Sequence, residues 1–182
     1  MGKMGIAKEY LPYYTIEDYK LWEGDWELIE GIPFAMVPSP FGIHQKAIAN
    51  FTYEIKKQLE DCSKGCNVYI ELDWIISDDT VLRPDLVVIC KEIIEYLKET
   101  PEMVVEVISK STAKKDEHLK YKIYEREKVP YYIIAYPEIK KVRVFKLTNG
   151  KYEKYFDSDN GILELQLKDG CLLKIEVEKI FE

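Results

Sequence analysis

Arg83-Pro84-Asp85-Leu86-Val87-Val88-Ile89 and, further along the chain, Met103-Val104-Val105-Glu106-Val107-Ile108 decide how this sequence folds. Near-continuous apolar runs of this length are the mark of strands buried on both faces of a sheet. Each run carries one acid, Asp85 at the head of the first and Glu106 inside the second. An ionised carboxylate in such a place is costly unless it is paired or binds a cation. At an effective dielectric of about 20, two carboxylates about 4 Å apart repel by roughly 4 kcal/mol. A shared divalent cation is the natural remedy, so this pair marks where function is to be sought.

Outward from these runs the chain reads as an alternation of strands and helices. Thr15 and Asp18 form a capping-box pattern before a short helix that ends near Gly24. Trp26-Glu27-Leu28-Ile29-Glu30 and residues 32–37 read as strands joined at Gly31, and Pro38-Ser39-Pro40 ends the second. Ile43, Ala47, Ile48, Phe51, Ile55 and Leu59 share one face of a helix over about 43–59. Residues 66–76 read as a strand, Ser77-Asp78-Asp79-Thr80 as a hairpin-like turn into the Asp85 strand, and 91–100 as a loop or short helix. Ser111-Thr112 can cap a helix over about 113–127, and Val129-Pro130 leads into the apolar strand 131–136. Segments 142–147, 152–156, 162–167 and 172–177 read as successive antiparallel strands, with turns at Asn149-Gly150, Asn160-Gly161 and Asp169-Gly170. Neither a repeat nor a linker interrupts the pattern. The expectation is one α/β domain over 1–182, with a core over about 14–147 and a β-rich C-terminal extension over about 148–182.

Size and composition agree with this. A chain of 182 residues fits a single domain, which at this size buries roughly 70% of its unfolded surface. The net charge of −7 argues against a protein that coats nucleic acid nonspecifically, while leaving room for a local basic patch. No apolar run is long enough for a membrane helix, and the first six residues lack the apolar segment of a secretion signal. Cys62-x-x-x-Cys66 has a loose metal-like spacing, but no second Cys or His pair completes a zinc site. Cys90 reads as core, and reduced thiols in a cytoplasmic setting are expected.

The order strand–Asp85–strand–Glu106–helix–strand matters more than either acid alone. A metal-dependent nuclease needs two or three carboxylates on a divalent ion, and a cation to orient or activate water. Lys120 lies on the helix after the Glu106 strand, with Asp116 one turn before it and Tyr124 one turn after, so the three share a face. The positive end of that helix favours an anion such as phosphate. The basic run Lys110, Lys114, Lys115, Lys120, Lys122, Arg126 and Lys128 is interleaved with acids and, taken by itself, reads as a solvated face. Lys110 and Lys114, near its start, are the candidates for phosphate contact.

Arg83-Pro84-Asp85, Val105-Glu106-Val107-Ile108-Ser109, Asp116-x-x-x-Lys120-x-x-x-Tyr124 and Val129-Pro130-Tyr131-Tyr132 together resemble the Uma family of restriction endonucleases, within the PD-(D/E)XK nuclease superfamily. Glu27-Leu28-Ile29-Glu30-Gly31, and Ser39-Pro40 followed by His44, are similar to that family's N-terminal motifs. The resemblance runs over about 14–147. The wider superfamily places its lysine two positions after the glutamate, where this chain has Ile108. In the Uma-type family the lysine sits on the following helix, which makes Lys120 its stand-in, and a long side chain can reach back from there.

The resemblance implies a restriction-endonuclease-like mixed central sheet flanked by helices. It implies Mg²⁺, with Mn²⁺ as an alternative, held by Asp85, Glu106 and the carbonyl of Val107. Lys120 would orient the attacking water and steady charge on the phosphate. Glu30 and His44 would complete the metal or water shell, with Ser109, Asp116 and Tyr124 in support. The implied reaction is hydrolysis of DNA phosphodiester bonds by a homodimer able to cut both strands. The C-terminal β segments are the candidate dimer interface. Two other readings stay open: a catalytically silent nuclease fold that binds nucleic acid or protein, and a metal hydrolase of small phosphate esters.

Overall fold

The computed structural model describes residues 10–36, 41–62, 65–109 and 113–182. From the N-terminal side it runs through α1 (Ile16–Tyr19), β1 (Trp26–Ile29), β2 (Ile32–Ala35), α2 (Gly42–Cys62), β3 (Asn67–Ile70), β4 (Trp74–Ser77) and β5 (Thr80–Leu82). The two apolar runs follow as β6 (Leu86–Ile89) and β7 (Met103–Val107). A helical stretch then leads through α3 (Tyr121–Arg126) to β8 (Tyr131–Tyr136), β9 (Lys141–Thr148) and β10 (Lys151–Ser158). The chain closes with β11 (Ile162–Gln166), β12 (Leu172–Glu176) and α4 (Val177–Ile180).

A six-stranded sheet in the order β10-β9-β8-β7-β6-β3 forms the centre. All its pairs are antiparallel except β7–β8, which are parallel and joined through the helix. β6 and β7 are buried along their whole length, as their unbroken apolar runs require. Side-chain alternation divides the interior in two. Leu86, Val88, Met103, Val105, Val107, Ile133 and Ala135 face one core, closed by α2, the β11–β12 hairpin and α4. Val87, Ile89, Val104, Tyr132 and Ile134 face a second core, shared with α3 and with Ile29, Trp74 and Leu82 of a four-stranded sheet, β2-β1-β5-β4.

Most elements fall where the sequence places them, and the departures have physical causes. α1 is capped by Thr15 and Asp18, the Thr15 amide donating to Asp18 Oδ2 at 2.8 Å, but it stops at Tyr19 rather than near Gly24. Residues 66–76 are not one strand: Glu71 takes a φ of 49°, and the chain passes from β3 in the central sheet to β4 in the smaller one. Likewise β5 and the Asp85 strand belong to different sheets. In the C-terminal extension β10 pairs with β9 and β11 with β12, but β10 and β11 do not pair. The β11–β12 hairpin instead turns Leu163, Leu165, Leu173 and Ile175 inward, with Gln58 of α2 bonding the Lys174 carbonyl and amide. Ile43, expected on the apolar face of α2, is 51% exposed. Val37 to Pro40 and the capping pair Ser111-Thr112 lie outside the described residues.

The thiols depart from expectation too. Cys66 and Cys90 are joined as a disulfide, and Cys171 is disulfide-bonded as well. The pairing Asn67↔Ile89 makes Cys66 and Cys90 the next cross-strand neighbours, a proximity that only strand pairing reveals. Among the described residues no helix is long and apolar enough to cross a membrane.

The β1–β2 turn uses Glu30 and Gly31, both with positive φ, 51° and 78°. A Cβ on Gly31 would lie 2.2 Å from Cδ2 of Tyr13. Gly31→Ala is expected to cost about 1–2 kcal/mol, read as a lowered urea midpoint. An unchanged midpoint would show that the turn is not held in this conformation.

Candidate active site

Strand parity brings the two acids together. Asp85 precedes Leu86 and so shares a face with Val87, and Glu106 shares a face with Val104; both look toward the second core. The antiparallel register Leu86↔Val105, continued by one residue, sets Asp85 opposite Glu106. The Val107 amide donates to Asp85 Oδ2 at 2.6 Å, fixing that carboxylate at the end of β7.

The helix after β7 crosses the same face. Residues Lys115–Lys120 are wound as a π-helix rather than an α-helix, a local widening often found at functional sites. Tyr132 Oη donates to the Asp116 carbonyl there at 2.8 Å. Lys120 is buried, its Nζ lying 2.7 Å from Glu106 Oε1, 2.8 Å from Glu27 Oε1 and 3.7 Å from Asp116 Oδ1. Tyr124, one turn on, donates its hydroxyl to the same Glu106 oxygen at 2.7 Å. Lys115 reaches the other oxygen of Glu27 at 2.6 Å. On α2, His44 Nε2 lies 3.8 Å from Asp85 Oδ2, and its buried Nδ1 has no hydrogen-bond partner among the described residues.

Asp85, Glu106, Asp116, Lys115, Lys120 and His44 line one cavity of about 240 Å³, together with Val107 and Ser109. Burial pushes Glu106 up to about 8 despite the Lys120 ammonium, and the nearby Asp116, Asp85 and Glu27 add to the rise. Burial likewise raises Asp85, against the Val107 amide and His44. Burial would also raise Glu27, but Lys120 and Lys115 outweigh it and hold that carboxyl below its usual range. Burial disfavours the Lys120 ammonium, yet Glu106, Glu27 and Asp116 hold it well above the usual lysine range. Among the described residues, the four acids Asp85, Glu106, Asp116 and Glu27 outnumber the ammonium groups of Lys115 and Lys120 beside them. Carboxylate oxygens with that excess and no sulfur among them suit one hard divalent cation such as Mg²⁺.

Of the residues singled out in the sequence, Asp85, Glu106, Val107, Lys120 and His44 meet at this cavity. Glu30 does not: it sits exposed in the β1–β2 turn, 2.8 Å from Arg126 Nη1. Glu27, fully buried, takes the place beside the lysine. Its signal was an acid inside the buried part of a strand, whereas Glu30-Gly31 has the composition of a turn. Arg83 is the other residue sequence reasoning left unassigned. Its amide donates to Glu27 Oε1 at 3.0 Å, and its guanidinium holds Asp73 and Asp25, each at 2.6 Å, which anchors the chain just before Asp85. Lys110 lies outside the described residues, and Lys114 is exposed.

Residues 16–173 match the family model Uma2, described as "Putative restriction endonuclease". The chain belongs to this family. Among solved structures, it is similar to a protein described as a putative nuclease belonging to DUF820 from Anabaena variabilis ATCC 29413. The two are 16% identical, the match covers 92% of this chain and 97% of that one, and the TM-score is 0.76. At that identity the likeness speaks for the fold, a mixed α/β restriction-endonuclease-like architecture. No curated protein matches the chain. Membership of the Uma2 family spans both acids, the π-wound helix and most of the C-terminal extension.

Proposed function

We propose that this Uma2-family protein is a Mg²⁺-dependent DNA endonuclease that hydrolyses phosphodiester bonds. The observation that carries the reading is the convergence of Asp85, Glu106 and the Lys120 ammonium at one cavity, where among the described residues the acids outnumber the cations. Asp85, Glu106 and the Val107 carbonyl would hold the ion. When bound, Mg²⁺ supplies Lewis-acid polarisation of the phosphate and acidifies a water.

The chain's own groups do the rest. Lys120 is placed to orient a water and to steady negative charge growing on the phosphate, and Asp116 and Glu27 keep it charged. His44, whose Nδ1 has no hydrogen-bond partner among the described residues and whose Nε2 lies beside Asp85, is placed to hold a proton at the cavity wall. Tyr124 fixes the orientation of Glu106 through its hydroxyl. Double-strand cutting suits a symmetric dimer. β10, at the outer edge of the central sheet, is the part of the C-terminal β segments proposed for that contact.

Supercoiled plasmid incubated with the protein and Mg²⁺ tests the reading. Nicked or linear product is expected with the wild type, and none with EDTA or with Asp85→Ala. Cleavage that survives Asp85→Ala overturns the assignment. An uncut plasmid together with no stoichiometric Mn²⁺ site by calorimetry favours the silent binding module instead.

Protons compete with the ion for these acids. Because Glu106 titrates at about 8 without metal, Mn²⁺ affinity is expected to tighten about tenfold per pH unit for each proton displaced. The rise runs up to about pH 8 and levels off above it. Calorimetry at successive pH values reads this, and a flat profile would remove Glu106 from the ligand set.

A further inference from the structure

Away from the cavity, Cys66, Cys90 and Asp169 bring two sulfurs and a carboxylate oxygen within 4.8 Å of one another. Three separate parts of the fold supply them. Cys66 immediately precedes the edge strand β3, Cys90 immediately follows β6, and Asp169 lies in the β11–β12 turn. Cys66 Sγ lies 3.3 Å from Asp169 Oδ2. The turn is built independently of the thiols: the Gly170 amide donates to the Leu167 carbonyl at 3.0 Å, and the Leu167 amide to the Cys171 carbonyl at 2.8 Å. Asp169 Oδ1 accepts the Cys171 amide at 3.0 Å, which sets the carboxylate's direction. Cys66 is buried, Cys90 half-buried and Asp169 exposed, so the cluster opens to solvent on one side. None of these residues lines the cavity of Asp85 and Glu106.

We propose that, with Cys66 and Cys90 reduced, this cluster is a binding site for a thiophilic divalent cation of the zinc class. Two thiolates and a carboxylate are ligands that such a cation takes in tetrahedral sites. Reduction by a phosphine in water gives two thiols and the phosphine oxide, and cation binding then releases both thiol protons. The cation serves structure rather than hydrolysis. Through Asp169 it ties the turn of the C-terminal hairpin to the edge of the central sheet, using the two sulfurs that the disulfide otherwise joins to each other. The sequence hides the site because its ligands come from pairing and packing, not from a Cys-x-x-Cys spacing.

Co²⁺ titrated anaerobically into the phosphine-reduced, metal-free protein tests this. The expected result is one equivalent per chain with sulfur-to-cobalt charge transfer in the near ultraviolet and tetrahedral ligand-field bands, both removed by Zn²⁺. An oxygen-only site such as the nuclease cavity gives no sulfur charge transfer, so the two are told apart. Cys66→Ser with Cys90→Ser is expected to lose the charge-transfer band. The exposed Asp169→Asn, which spares the core, is expected to keep the band but bind at least about tenfold more weakly. Absence of the band in the reduced wild type overturns the proposal, as does its survival in the double serine variant or unchanged affinity in Asp169→Asn.

Discussion

Glu106→Gln is expected to lower plasmid cleavage by roughly 10³-fold or more while leaving the metal-free protein as stable as the wild type, or more so, at pH 8. The amide keeps an acceptor for Lys120 and Tyr124, so packing survives, but it is a poor ligand for a hard cation. The folded chain holds the Glu106 proton up to about pH 8, whereas the unfolded chain gives it up near 4.5. The stability this contributes is therefore complete below about 4.5 and lost as pH rises through about 8. Glu106→Gln removes that loss, so its melting temperature should depend less on pH over this window. Parallel cleavage assays and thermal melts in EDTA read both effects. Wild-type activity in the variant, or a melting temperature well below wild type at pH 8, would sink the reading of Glu106 as a costly acid kept for binding a cation.

Lys120→Met is expected to show the largest loss of stability. Its ammonium touches Glu106 and Glu27 and lies near Asp116, all buried. Removing one partner of a buried ion pair costs about 3–5 kcal/mol, because the remaining charge is stranded. The deficit, measured by chemical denaturation in EDTA at pH 8, should narrow toward pH 5. Without the lysine the acids hold their protons to higher pH in the folded state, so the variant's stability is greatest at low pH and falls as pH rises. Mg²⁺ should stabilise the variant more than the wild type, since a divalent ion can replace the lost countercharge. A variant as stable as wild type in EDTA would mean that Lys120 is not the countercharge of this cluster.

The parts of this protein written in local pattern could be read from the sequence. The helix α2, the apolar strands β6, β7 and β8, and the hairpin turn at Asn149-Gly150 follow from periodicity and turn chemistry. So did the presence of Asp85, Glu106 and Lys120 as odd polar groups in or beside apolar segments. Features that depend on partners chosen across the fold were not legible. Nothing in residues 66–76 announces that Glu71 turns the chain out of one sheet and into another. Position within a strand rather than at a Glu-Gly turn sets Glu27 apart from Glu30, but that its side chain meets Lys120 depends on packing across the fold. The Cys66–Cys90 contact needs the β3–β6 register, which no single strand encodes.

The π-wound stretch Lys115–Lys120 carries a consequence of its own. In ordinary α-winding each residue advances the helix by about 100°, so five steps would leave Lys115 and Lys120 about 140° apart. The wider turn closes that angle and lets both ammonium groups reach Glu27, one on each carboxylate oxygen. The extra residue in this turn is thus what allows two cations to share one buried acid.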